Sequence, residues 1–214
     1  MTISPLWASP FRPFYLLGAL YAPLLMAAWL GAYLGFWRQA PGGVSLKLLH
    51  GHEFIYGFAT AIISGVVLTA LPSWAGTEEI NGQRLILLVG LWLAGRIAFW
   101  TAPWLPTPLP ALIDSLLFPS AILMLLPQLL RARNRLYLLL LPILVALFAG
   151  NLAYYQGIGA GNELQAWHAL RLAIYAFVVL YVLKGGVLAP IFTGNALRET
   201  GRGDQAPFNM ALEI

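Results

Sequence analysis

Between Leu49 and Trp74 the chain carries an apolar run that opens on three ionisable residues, His50, His52 and Glu53, and closes near Pro72. A bilayer crossing needs roughly 20 predominantly apolar residues for a hydrocarbon core of about 30 Å, and this run has the length. Wound as a helix at about 100° per residue, the stretch separates into two faces. Glu53, Gly57, Ala61, Gly65 and Thr69 recur at every fourth position, with His52, Tyr56, Thr60 and Ser64 in a row beside them. His50 falls in the same arc as Gly57 and Ser64, while Phe58, Ile62 and Val66 take the opposite side. In lipid, small residues let a neighbouring helix approach, and ionisable groups are costly and turn away from hydrocarbon. The glycine and alanine row therefore reads as a packing stripe. His50, His52 and Glu53 read as functional groups.

The rest of the chain agrees with a membrane setting. Of 214 residues, 60% are hydrophobic and only 9% charged, against about 25% charged in an ordinary soluble domain. Too little polar surface is available to cover a water-facing globule. Cysteine is absent, which excludes disulfides, thiolate ligands and cysteine nucleophiles. A metal would have to be held by histidine, methionine, carboxylate or backbone oxygen. The net charge of +4 is spread over loops, so it speaks of orientation and not of nucleic acid. No phosphate loop, dinucleotide fingerprint, serine elbow or HExxH motif is present, and no catalytic residue is assigned.

Hydropathy predicts an all-α integral membrane protein, a bundle of six transmembrane helices at about 14–37, 49–74, 84–101, 109–130, 136–156 and 164–192. Residues 1–198 form one transmembrane domain, and 199–214 a polar, mobile tail. The entry segment Met1–Pro13 lacks a small-residue cleavage site, so the first run is read as a retained span. With the N-terminus inside, the inner loops hold Arg12, Arg84, Arg131, Arg133, Arg135, Arg198 and Arg202, and the outer loops hold Arg38 and Lys47. This bias of basic residues predicts an N-in, C-in orientation.

In that orientation His50, His52, Glu53, Arg96, Asp114, Asn151, His168 and Arg171 all fall in the outer third, and Lys184 lies deeper toward the inside. Convergence of costly groups on one level marks a site. The simpler reading for the charges is structural, with Arg96 tied to Asp114 and Arg171 to Glu53, since buried charges need partners in any case. His168, Arg171 and Tyr175 share a face of the sixth span. His50 and His52 stand about 160° apart if both are helical. A histidine pair from facing helices can ligate haem iron, and imidazole also suits copper. His50, His52 and His168 are the candidate metal ligands, with His50 and His168 facing a common iron. Glu53, Asp114 and Asn151 stand behind them as hydrogen-bond partners. Arg96 and Arg171 would meet propionates, and Tyr56 and Tyr175 would line the pocket. A transporter with a cation or proton path through Glu53, Asp114 and the histidines uses the same residues. So does a scaffold protein without cofactor.

Specific motifs favour the first reading. Phe11-Arg12-Pro13-Phe14, His50-Gly51-His52-Glu53 with Gly57-Phe58-Ala59, and Leu68-Thr69-Ala70-Leu71-Pro72-Ser73-Trp74 before Gly76 resemble the NnrS family. Leu93-Ala94-Gly95-Arg96 and Pro190-Ile191-Phe192-Thr193-Gly194-Asn195-Ala196-Leu197-Arg198 extend the resemblance over residues 8–198. It is to the N-terminal half of a family whose members usually have about twice as many spans, and Val187 stands where an arginine is usual. The resemblance implies a multi-pass protein of the bacterial inner membrane, active in the nitric-oxide response under nitrosative stress, with haem and copper. It also leaves room for a homodimer or a partner membrane protein to supply what the shorter chain lacks. The orientation is open to direct measurement. Reporter fusions at Lys47 and at Arg133 should report opposite sides of the membrane, Lys47 outside, and the same side at both positions would contradict the six-span path.

Overall fold

The first helix begins where a tertiary contact satisfies it. In this computed structural model, which describes residues 4–37, 44–106, 108–132 and 135–203 (side chains at 74, 187, 188 and 191 excepted), α1 runs Phe11–Tyr33. The Phe11 N–H, an orphan donor at the helix start, donates to Thr69 Oγ1 at 3.0 Å. Its far end closes in a Schellman motif. Gly35 takes φ 83°, with Phe36 N donating to Gly31 O and Gly35 N to Ala32 O.

The second span is one continuous helical path in three parts: α2 Leu46–His52, a π-helical segment Glu53–Ala59, and α3 Thr60–Ala75. Pro72 lies inside α3 and does not end it. The stop is Gly76, whose φ of 67° is left-handed and whose N–H reaches Pro72 O. α4 Gly82–Trp100 forms the third span. The fourth is broken into α5 Pro108–Ser115 and α6 Leu117–Arg131. Pro119 explains the break, because its ring and missing N–H are incompatible with regular helix at the Ser115 carbonyl four residues earlier. The fifth span opens with a 3₁₀ turn, Arg135–Leu139, and continues as α7 Leu140–Gly159. Asn162 then starts α8 Glu163–Glu199, its Oδ1 accepting from Gln165 N at 3.0 Å.

Six helices are long and apolar enough to cross a membrane, and every regular element among the described residues is helical. The predicted six-span, all-α architecture is therefore present. α8 runs past the expected end of its span, to Glu199. Residues 204–214 of the expected tail, and Arg38 and Arg133 of the expected loops, lie outside the described residues. By internal contacts the chain divides into two units, residues 1–176 and 177–214. The first carries α1 to α7 and the opening turns of α8. The second carries Lys184.

Within the first unit, the outward surface is greasy. Leu24 is 65% exposed and Leu123 73%, the pattern of helices that face lipid and not water. Helix contact is made through small residues. A Cβ placed on Gly65 would lie 2.9 Å from the Tyr15 ring and 3.3 Å from the Phe11 backbone. On the reverse side of the contact, a Cβ on Gly18 would lie 2.6 Å from Ile62 Cδ1. The Gly57–Ala61–Gly65 row is thus the seat of α1, a close approach that a side chain on the row would prevent. We expect Gly65→Leu to lower thermal stability in detergent sharply, and Ile62→Leu, which keeps volume, to cost less than about 1.5 kcal/mol. The opposite ranking would place the row against lipid.

Candidate functional site

The π-helical segment Glu53–Ala59 sets the geometry of the site. A π-turn holds one more residue than an α-turn, so it displaces the angular register by about 100°. The displacement falls directly after His52. It turns His52 and Glu53, both fully buried, into the bundle. Trp92 Nε1 on α4 donates to Gly57 O at 3.0 Å, so the segment is also tied to a neighbouring helix.

Arg96 reaches into this space from the last turns of α4. Its NH1 bonds Glu53 Oε1 and its NH2 bonds Asp114 Oδ1 on α5. The close approach depends on Gly95, where a Cβ would meet Asp114 Oδ1 at 2.6 Å and Asp114 Cα at 3.1 Å. His52 connects the two carboxylates by another route. Its Nδ1 lies 2.9 Å from Glu53 Oε1, and its Nε2 lies 2.9 Å from Asn151 Oδ1 and 3.3 Å from Asp114 Oδ2. The Asn151 amide orientation follows from its neighbours, since Nδ2 donates to Asp114 Oδ2 and to Ser115 Oγ, both at 3.2 Å. Each nitrogen of His52 thus faces an oxygen acceptor, an arrangement that the imidazolium satisfies with two donors. Two positive and two negative groups then balance.

Tyrosines close the edges. Tyr155 donates to Asp114 Oδ2 at 2.9 Å. Tyr21 of α1 donates to Glu53 Oε2 and accepts from Trp100 Nε1 at 2.8 Å. The His52 ring stacks on Phe99 at 4.5 Å and on Tyr154 at 4.3 Å between centroids. Tyr56, 4.9 Å from the same ring, donates to Leu147 O at 3.1 Å. At 1.5 Å per residue the four charged or imidazole groups lie roughly 6–10 Å in from their helix ends. Isolated charges at such depth would be very costly; here the strong hydrogen bonds and the charge balance offset the desolvation. One polar atom of the centre, Arg96 Nε, is buried without a partner.

Of the residues singled out from the sequence, His52, Glu53, Arg96, Asp114, Asn151 and Tyr56 come together. The expected Arg96–Asp114 tie is present. Glu53 takes its cation from Arg96 as well and not from Arg171, which is exposed on α8. His168 and Tyr175 are exposed on α8 as well, Tyr175 at 64%. The buried side of this part of α8 is Ala166, Ala169, Leu170, Ala173 and Ala176. The face that carries three polar residues is therefore the outward one. His50 is half-buried beneath Trp29, with ring centroids 4.4 Å apart, and also faces Phe54. Its Nδ1 is buried without a hydrogen-bond partner. A Cβ on Gly51 would touch Leu170 at 3.0 Å, so α2 and α8 meet beside these two histidines. No ring contact joins His50 and His168 among the described residues.

Sequence reasoning missed Tyr21, Tyr155 and Ser115 as members of the site. A tyrosine within a leucine-rich span carries no signal until its partner is known. Ser115 is recognisable only as the neighbour of Asp114.

The donor set bears on metal binding. Both nitrogens of His52 are engaged, and both carboxylates are held by Arg96. Among the described residues no three histidines or carboxylates gather as ligands for a metal ion. The charged centre fits a structural clamp and does not fit a metal. His50 is different: an imidazole with a buried, unpartnered nitrogen fits a single ligand to a metal or haem.

Comparison with known protein families bears on the whole chain. A family model described as NnrS protein covers residues 5–213. No curated protein and no solved structure matches.

Proposed function

Because this chain belongs to the NnrS family, we propose that it handles, or protects the cell against, nitric oxide in the bacterial inner membrane. The observation that carries this reading is the family match along residues 5–213. Six apolar helices make the chain a multi-pass membrane protein, and the lipid bilayer its surroundings. The finer reading is N-in and C-in, with the charged centre near the periplasmic side, and it rests on the distribution of basic loop residues.

The proposal includes haem. His50 is the residue of this chain whose chemistry fits an iron ligand. His168 stands near the start of α8, at a depth similar to that of His50 on α2, but on the outward face. A haem using both would lie against the outside of the bundle, beside α2 and α8. Arg171, one turn from His168, would be the arginine within reach of a propionate. Bound haem iron would supply a coordination site for nitric oxide. Copper belongs to the proposal only with donors from a second copy or a partner membrane protein, given the donor set above. Support for such a partner comes from the same face, since His168, Arg171 and Tyr175 are polar groups that avoid hydrocarbon when protein is available to cover them. A cation path through Glu53 and Asp114 is disfavoured, because Arg96 already occupies both carboxylates.

The test is the absorption spectrum of protein purified from haem-replete cells, before and after nitric oxide is added. We expect a Soret band that shifts with nitric oxide and is lost in His50→Ala, and that is unchanged in Lys184→Met. A colourless, metal-free preparation would contradict the haem reading. A monomeric particle with full haem occupancy would remove the partner.

A further inference from the structure

A cavity of 680 Å³ lies between the start of α5 and the end of α7, outside the charged centre. Its size falls within the range of about 300–1,000 Å³ that small organic ligands use. Pro106, Leu109, Leu112 and Leu152 form an apolar wall, and Tyr155 and Gln156 join it. By helix rise, Leu112 and Leu152 lie within about 10 Å of their helix ends. The cavity therefore sits near the edge of the hydrocarbon belt, where an amphipathic molecule rests with its head toward water.

Tyr155 gives the cavity its chemistry. Its one proton is committed to Asp114 Oδ2 at 2.9 Å. The hydroxyl oxygen keeps lone pairs to offer and no further hydrogen. A group placed against Tyr155 must donate, so a hydroxyl suits Tyr155 Oη where a ketone or an ester does not, while the Gln156 amide can meet either kind of group. A lipid acyl chain would fill the apolar wall without using either polar group. We propose that this cavity binds a membrane-soluble phenol or quinol, its ring against the proline and leucine wall and its hydroxyl donating to Tyr155 Oη. Through Tyr155 the ligand is two hydrogen bonds from Asp114, and so coupled to the charged centre. The site does not depend on haem.

The experiment uses the full chain in lipid nanodiscs and a radiolabelled short-chain benzoquinol kept reduced. Saturable binding is expected for the wild type and for Leu123→Trp, which alters an exposed position on α6. Leu112→Trp should abolish it by filling the cavity. Tyr155→Phe should weaken it about fivefold, the worth of one ordinary hydrogen bond. The dimethyl ether of the same quinol, which cannot donate, needs no variant at all. The wild type should bind it as weakly as Tyr155→Phe binds the quinol. Unsaturable uptake equal in all four proteins overturns the site. Equal wild-type affinity for quinol and ether overturns the assignment to Tyr155.

Discussion

One guanidinium holds the centre of this protein together. Arg96 binds Glu53 from the second span and Asp114 from the fourth, at a depth where water cannot compensate an unpaired charge. Much else in the bundle follows from that demand. The π-segment turns Glu53 and His52 inward. Gly95 removes the side chain that would keep α5 from α4. Asn151 brings α7 to Asp114 and His52, and Tyr21 brings α1 to Glu53. Helices in lipid gain no hydrophobic driving force from meeting one another. A charge-balanced, hydrogen-bonded polar centre gives them a specific reason to meet in one arrangement.

The large features were legible because bilayer physics writes them plainly. Six apolar runs of the right length can only be helices where every backbone group must bond within its own segment. Alternating span directions then bring Glu53, Arg96, Asp114 and Asn151 to one level, and that convergence is what the structure displays. The details were illegible where the backbone leaves the ideal helix. Counting 100° per residue places His50 in the arc of Gly57 and Ser64 and His52 in the row beside Glu53, about 160° from His50. The π-segment changes that register, and His52 becomes the buried imidazole. The split between α5 and α6 was present in the sequence as Pro119 but carried no weight in a hydropathy pattern. His168, Arg171 and Tyr175 were correctly grouped on one face of a helix. Periodicity does not say whether such a face looks toward the bundle or away from it, and the alanines on the other face decide that here.

The clamp also narrows where function resides. Its carboxylates are held by Arg96 and its imidazole by Glu53, Asp114 and Asn151, so a ligand gains little by approaching them directly. What remains available is His50 with an unpartnered buried nitrogen, the polar outward face of α8, and the cavity over Tyr155. None of these is part of the paired charges. Tyr155 is the direct link, one hydrogen bond from Asp114. An event in the cavity would therefore be felt at the clamp.

Stability measured through a double-mutant cycle at Arg96 and Asp114 tests the clamp most directly. Arg96→Met leaves a net negative charge in an apolar centre, and Asp114→Leu a net positive one. Each should cost about 3–5 kcal/mol in detergent, as loss of one partner from a buried pair does. The double variant leaves His52 and Glu53 as a neutral pair. It should be less damaged than the sum of the two by at least about 2 kcal/mol, within the range seen for residues in one network. Losses that simply add would mean that Arg96 and Asp114 contribute independently, and that the centre is not a single charge-balanced unit.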